Sequence, residues 1–222
     1  MKTDKLIDII KDATIQEIVE QNFGTTKQFF EIHEVIKING KPKIERVDLE
    51  RNDNTALVYV PVVNESFYFT LTFDTSDSIS LLGTNTEASI RLYFYAVSDK
   101  LSFEELASFT TIESTAKRNK GDIMPYNSKR KFEFSSLEIQ PNPEPDEFED
   151  KLAKLLTLLE SDKEGIKKLI ENSNCVIQAA IIYHNGNGMF GGPDLDEDSI
   201  KRISNLNLGI NFDLYANGNE FK

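Results

Sequence analysis

A chain of 222 residues with 39% apolar side chains can build one large core or two smaller ones. Its 37 acidic and 25 basic residues leave a net charge of −12, a field that repels nucleic acid and anionic membrane and favours basic partners or simple solubility. One cysteine rules out an internal disulfide framework, and no apolar run is long enough to span a bilayer, so a soluble, cytoplasmic protein is expected.

Residues 2–21 set Leu6, Ile7, Ile9, Ile10, Ile15, Ile18 and Val19 at mostly helical spacing. Thr14 and Glu17 have the spacing of a capping box, which would divide this stretch into two helices. A β-rich region follows. Phe29 to Ile38 alternates apolar and polar side chains, Asn39-Gly40 reads as a two-residue hairpin turn, and Pro42 to Leu49 returns. Ala56–Val63 and Ser66–Phe73 form a second pair about Asn64-Glu65, with Phe67, Phe69, Leu71 and Phe73 on one face. Ser78–Leu82 adds a short strand before Gly83.

The pattern changes near Glu87, which suggests a helix-plus-antiparallel-sheet region over 1–86 and an α+β domain over 87–222. In the second part, strand Ser89–Ala96 precedes a helix opened by Ser102 and Glu105. An unpatterned basic segment, Lys117–Lys131, leads to a strand over 131–139 and then to the acidic, Pro-rich loop Pro141–Asp150. A helix with Phe148, Leu152, Leu155, Leu156 and Leu159 on one stripe follows, restarting at Ser161 with Glu164 as its capping partner. The strongest apolar run, Val176–Tyr183, begins a strand, glycine-rich loop, acid-led helix and final strand that end near Ala216. The fold class is therefore α+β: an antiparallel or mixed sheet, helices on one or both faces, and ferredoxin-like strand-helix-strand units in the C-terminal part.

The series T-E-A-S-I-R-L-Y-F-Y-A, S-F-E-E-L, R-N-K-G-D, F-S-S before a long helix, H-N-G-N and I-K-R-I-S-N-L-N-L-G-I-N-F-D-L-Y-A resembles the bacterial domain-of-unknown-function family 4279. The likeness runs over roughly residues 66–220. It implies an α+β protein without established catalytic residues or cofactor, and a role as an immunity protein against a toxin for some members. Many members carry a Trp before the long helix, where this chain has Lys131-Phe132-Glu133-Phe134, so no role of that Trp carries over.

Two segments are candidate sites. The loop from His184 to Pro193, with His184, Asn185 and Asn187, and with Asp213 and Tyr215 of the last strand, is a candidate small-ligand site. Asp194, Asp196, Glu197 and Asp198 at the next helix's start would repel a phosphate, and the glycine spacing fits neither common phosphate loop. They read as helix caps in place of a calcium loop. His33 and His184 lie in different regions without metal-binding spacing, so neither a metal nor any cofactor is expected.

The second candidate is a basic patch of Lys117, Arg118, Lys120, Lys129, Arg130 and Lys131 against Asp122, a local balance of +5. The Pro141–Asp150 loop carries −5, and mutual cancellation of the two is the structural expectation. Sparse aromatics around the patch argue against nucleic acid. Cys175, before an apolar strand, reads as a small buried hydrophobe. The functional expectation is a non-enzymatic binding protein, such as an immunity protein that neutralises a basic toxin domain. A small-ligand or regulatory domain using His184–Asn187 is the alternative, and an unrecognised hydrolase or transferase the second.

Overall fold

The computed structural model describes residues 2–51, 53–125, 127–186 and 190–221. The chain forms two compact units: Met1–Ser89 with Ile181–Gly191 and Leu214–Lys222, and Ile90–Ala180 with Gly192–Asp213. Among the described residues, no helix is long and apolar enough to cross a membrane.

In the first unit, α1 (Lys2–Glu20) is one continuous helix. The expected break at Thr14 does not occur. Thr14 is buried, and its hydroxyl donates back to the Ile10 carbonyl at 2.8 Å, inside the helix. Glu17 instead accepts from the Phe23 N–H at 3.0 Å, beyond the helix end.

The predicted strand from Phe29 is also corrected, because α2 (Gly24–Phe30) takes its first residues. Phe29 and His33 are both buried and four residues apart, a helical spacing that apolar-polar alternation conceals. β1 (Lys37–Ile38) and β2 (Lys41–Pro42) pair about Asn39-Gly40, whose φ angles of 52° and 79° are the positive values a two-residue hairpin needs.

β3 (Arg46–Asp48), β4 (Thr55–Pro61), β5 (Tyr68–Asp74) and β6 (Ser80–Glu87) then form a four-stranded antiparallel meander in chain order. β6 runs through Gly83 to Glu87, with a register shift opposite Thr72 and Phe73. Phe67, Phe69, Leu71 and Phe73 are each at most 1% exposed, as their alternation predicts, and they share a core with Ile10, Ile18 and Phe29.

In the second unit the elements run β7 (Ser89–Ser98), α3 (Phe103–Ala107), β8 (Ala116–Arg118), β9 (Ile123–Met124), β10 (Asn127–Lys131), β11 (Ser135–Ile139), α4 (Phe148–Glu160), α5 (Lys163–Asn172), β12 (Asn174–His184), α6 (Glu197–Asn205) and β13 (Ile210–Asn217). The first residue of β7 and the last residues of β12 and β13 belong to the first unit. The sheet order is β13-β12-β7-β11-β8. Counting β7, β8, β11 and β12 as first to fourth, the inner order is 4-1-3-2, the split strand-helix-strand arrangement of ferredoxin-like folds.

β11 is antiparallel to both β7 and β8. β13 is added at the edge. The bonds from Ile177 N to Gly209 O and from Asn185 N to Asn217 O advance together along both strands, so β12 and β13 run parallel, joined by α6. The fold is α+β with mixed and antiparallel sheets.

Helix caps follow the sequence in two cases out of four, Thr14 being one of the exceptions. Ser102 and Glu105 complete the capping box of α3, and Asp196 caps α6 by accepting from Ser199 N. At α5 the cap is Asp162, and Ser161 closes α4 instead. The α4 stripe is as expected: Leu152, Leu155, Leu156 and Leu159 are fully buried, each burial worth about 2 kcal/mol.

Candidate functional site: a histidine pair and a basic ribbon

The two histidines of the sequence, 151 residues apart, meet inside the first unit. His33 follows α2, where its N–H donates to the Phe29 carbonyl, and His184 ends β12. Their Nε2 atoms lie 3.0 Å apart with the rings at 74°. His184 Nε2 also lies 2.8 Å from the Asn219 carbonyl oxygen, and Asn219 Nδ2 donates to the Ile32 carbonyl at 3.0 Å. Phe67 packs on the His184 ring at 4.7 Å and Phe221 meets it edge-on at 5.0 Å. Gly218 has φ +91°, and a Cβ there would meet Phe67 at 2.8 Å and His184 at 3.1 Å, so the chain turns here where only glycine fits.

This network selects a tautomer. His184 Nε2 faces a carbonyl, which only accepts, so it carries the hydrogen and shares it between the Asn219 oxygen and the lone pair of His33 Nε2. His184 Nδ1 is then an unprotonated nitrogen, and it is buried without a hydrogen-bond partner. Burial holds both imidazoles below their ordinary pKa. Glu65 and the Asn219 carbonyl oppose that shift at both rings, and His33 adds to it at His184.

A metal on the two Nε2 atoms would push a proton onto His184 Nδ1 and strand a buried donor, against the usual support of a metal-bound imidazole. The residues suit a shared hydrogen bond better than a cation. Among the described residues, no group of three or more His, Cys, Asp or Glu is placed to hold a metal.

The remaining loop candidates are distributed unevenly. Asn185 is exposed, with its N–H on the Asn217 carbonyl and its side chain 3.4 Å from Glu220. Asn187 lies outside the described residues. Tyr215 is 53% exposed, and Asp213, in the second unit, accepts from Gln178 at 3.0 Å. Sequence spacing gave no signal for His33 as the partner of His184, because the two are 151 residues apart and meet beside residues 217–221, which sequence patterning left unassigned.

All six basic candidates are exposed, and they occupy structure that the sequence pattern missed. The pairings Arg118 with Ser136 and Ile123 with Lys131 lie in one register, five residues being traversed on each arm. β8 with β9 and β10 with β11 are thus two arms of one bent hairpin, continued between them by bonds joining Gly121, Asp122 and Phe132. From Lys120 to Phe134 nearly every described residue is exposed, so the outer hairpin is a ribbon standing clear of the core.

The expected cancellation against the Pro141–Asp150 loop is not found. Asp146 pairs with Lys154 at 2.9 Å, and the buried Lys151 ammonium donates to the Asn142 and Glu144 carbonyls. That loop is held by its own helix. Among the described residues the six basic side chains form no ion pair. Lys117 and Arg118 lie over the rings of Phe103 and Phe132, and Lys120 donates to the Asp99 carbonyl.

Cys175 is partly buried, and burial pushes its thiol up to about 11. At pH 8 its thiolate fraction falls about a hundredfold below that of an ordinary thiol. Alkylation by iodoacetamide should therefore be slower than that of glutathione by about that factor in the folded protein, and comparable in denaturant. Equal rates in both states would refute the reading of Cys175 as an inert packing residue.

The geometry defines an α+β protein with a split strand-helix-strand unit, an added parallel edge strand and a projecting basic ribbon. Residues 87–217 match the family described as Domain of unknown function (DUF4279), and the chain belongs to that family. Neither the curated proteins nor the solved structures provide a match. The matched span includes His184 and the ribbon, whereas His33, Asn219 and Phe221 lie outside it.

Proposed function

We propose that this protein is a non-enzymatic binding protein that holds a basic macromolecular partner by charge, in the manner of an immunity protein masking a toxin domain. Charge segregation carries the reading. Residues 116–134 bear six basic side chains against Asp122 and Glu133, a local +4, so the rest of the chain accounts for −16 within a net −12. A negative field of that size accelerates encounter with a basic surface and discriminates against acidic ones. The histidine pair supports the same reading. Both imidazoles are buried and engaged with each other or with Asn219, an arrangement suited to fixing structure.

The test is co-expression with the product of an adjacent toxin-like gene. A complex should form, protect the host, and weaken about tenfold or more between low and high salt. Absence of both complex and protection would overturn the immunity reading, and an affinity indifferent to salt would overturn the electrostatic one.

A further inference from the structure

The ribbon is a contact surface of opposite sign to the rest of the molecule, and its geometry supplies what a docking strand needs. β8 is the outermost strand of its sheet, so one edge of the 116–118 segment faces no neighbouring strand of that sheet. Beyond it, β9 and β10 form a two-stranded ladder, and all five residues of β10 are exposed. An isolated two-stranded ribbon is marginal in water, so this one lacks the covering that would stabilise it as a sheet element. Lys129 and Arg130 lie in the bulge between the Asn127–Met124 and Lys131–Ile123 pairings, and with Lys131 all three present their charge to solvent. Ile123 at 60% and Phe134 at 50% exposure add apolar anchor points among the cations.

We propose that the β8–β9/β10 ribbon docks an acidic, extended segment of a partner protein, which adds to the ribbon's open edge and meets its exposed cations. Charge complementarity decides the occupant. Six exposed cations without an ion pair among the described residues call for carboxylates, and strand addition supplies the backbone bonds. A DNA duplex fits less well. Its phosphates extend far beyond a ribbon of this size, bringing them into the field of a chain that is otherwise −16. The surface is independent of the basic-partner reading above, and either can fail without the other.

The experiment measures anisotropy of a fluorescein-labelled Glu-Glu-Val repeat peptide titrated with the full chain at low salt. Saturable binding is expected. The exposed triple reversal Lys129→Glu, Arg130→Glu, Lys131→Glu should weaken it about tenfold or more, with unchanged circular dichroism. The control is Lys163→Glu, Lys167→Glu, Lys168→Glu on the exposed face of α5, which changes net charge equally and should cost about twofold at most. No saturable binding, or equal losses in both variants, overturns the proposal. Tighter binding of a short DNA duplex at the same salt assigns the ribbon to nucleic acid instead. A concentration-dependent dimer abolished by the ribbon reversal assigns it to a second copy of this chain.

Discussion

Stability of the first unit should fall as pH drops below 6.5, and the change His33→Gln should flatten that fall. Both imidazoles have folded pKa values below the 6.5 of an exposed histidine, chiefly because burial penalises the imidazolium. Above 6.5 folded and unfolded chains are both neutral at these sites, and the pair contributes its full stability. Below 6.5 the unfolded chain takes up protons that the folded pair refuses, so unfolding gains progressively until the folded pKa values are passed. A proton on either ring removes the lone-pair acceptor or sets a cation against a neighbour 3.0 Å away, with Glu65 as the opposing carboxylate.

Glutamine at position 33 can still accept from His184 Nε2 but cannot titrate. At pH 7.5 the variant should be less stable by about 1–2 kcal/mol, the cost of an imperfectly replaced buried hydrogen bond. The gap should narrow by pH 5.5 in urea unfolding followed by circular dichroism. Parallel stability curves for the two proteins would show that the pair does not carry the pH dependence.

The pair also explains why the first unit takes chain from both ends of the sequence. Asn219 links its carbonyl to His184 and its amide to Ile32, and Phe221 covers the imidazole edge. These contacts tie residues 217–221 to the turn after α2. They join one residue within the family match to three outside it. The pair is accordingly a feature of the whole chain and not of the matched span.

Local chemistry was legible where it decided the structure. The Phe67–Phe73 alternation, the Asn39-Gly40 turn, the leucine stripe of α4 and the α3 capping box each act over a few residues, and each appears as read. Phe29–Ile38 misled because Phe29 and His33 satisfy helical spacing while the same segment alternates like a strand. Lys117–Lys131 hid its strands for a different reason. A ribbon exposed on both faces has no buried side to impose period-two hydrophobicity, so the β8–β11 register carries only as far as Ile123–Lys131 and has shifted by Asn127–Met124. The histidine contact was invisible because nothing in local spacing reports a meeting across 151 residues.

Ser161 and Glu164 misled in a third way, and the difference leads to a sign-reversing prediction. The residue that caps α5 is Asp162, which accepts from Gly165 N at 3.1 Å, Thr110 Oγ1 at 2.8 Å, Thr111 N at 2.6 Å and Thr111 Oγ1 at 3.0 Å. The Thr111 backbone N–H is the largest influence holding its carboxyl below the usual range, so its contribution is present above pH 3.8 and lost as pH falls through the folded value. Asp162→Ala removes a helix cap and several charge-assisted bonds, and should cost roughly 2–3 kcal/mol.

Gly165→Ala would ordinarily favour a helix by up to about 1 kcal/mol. Here its Cβ would stand 2.3 Å from Asp162 Oδ2 and 2.7 Å from Cγ, and the carboxylate is held in place by Thr110 and Thr111. The alanine must therefore displace the cap, with a net loss of about 1 kcal/mol or more. In the Asp162→Ala background the obstruction is gone, and Gly165→Ala should then stabilise the protein. Urea unfolding of the two single variants and the double variant measures the reversal. If Gly165→Ala stabilises the wild-type chain, Asp162 does not hold the position that ties the start of α5 to the segment after α3.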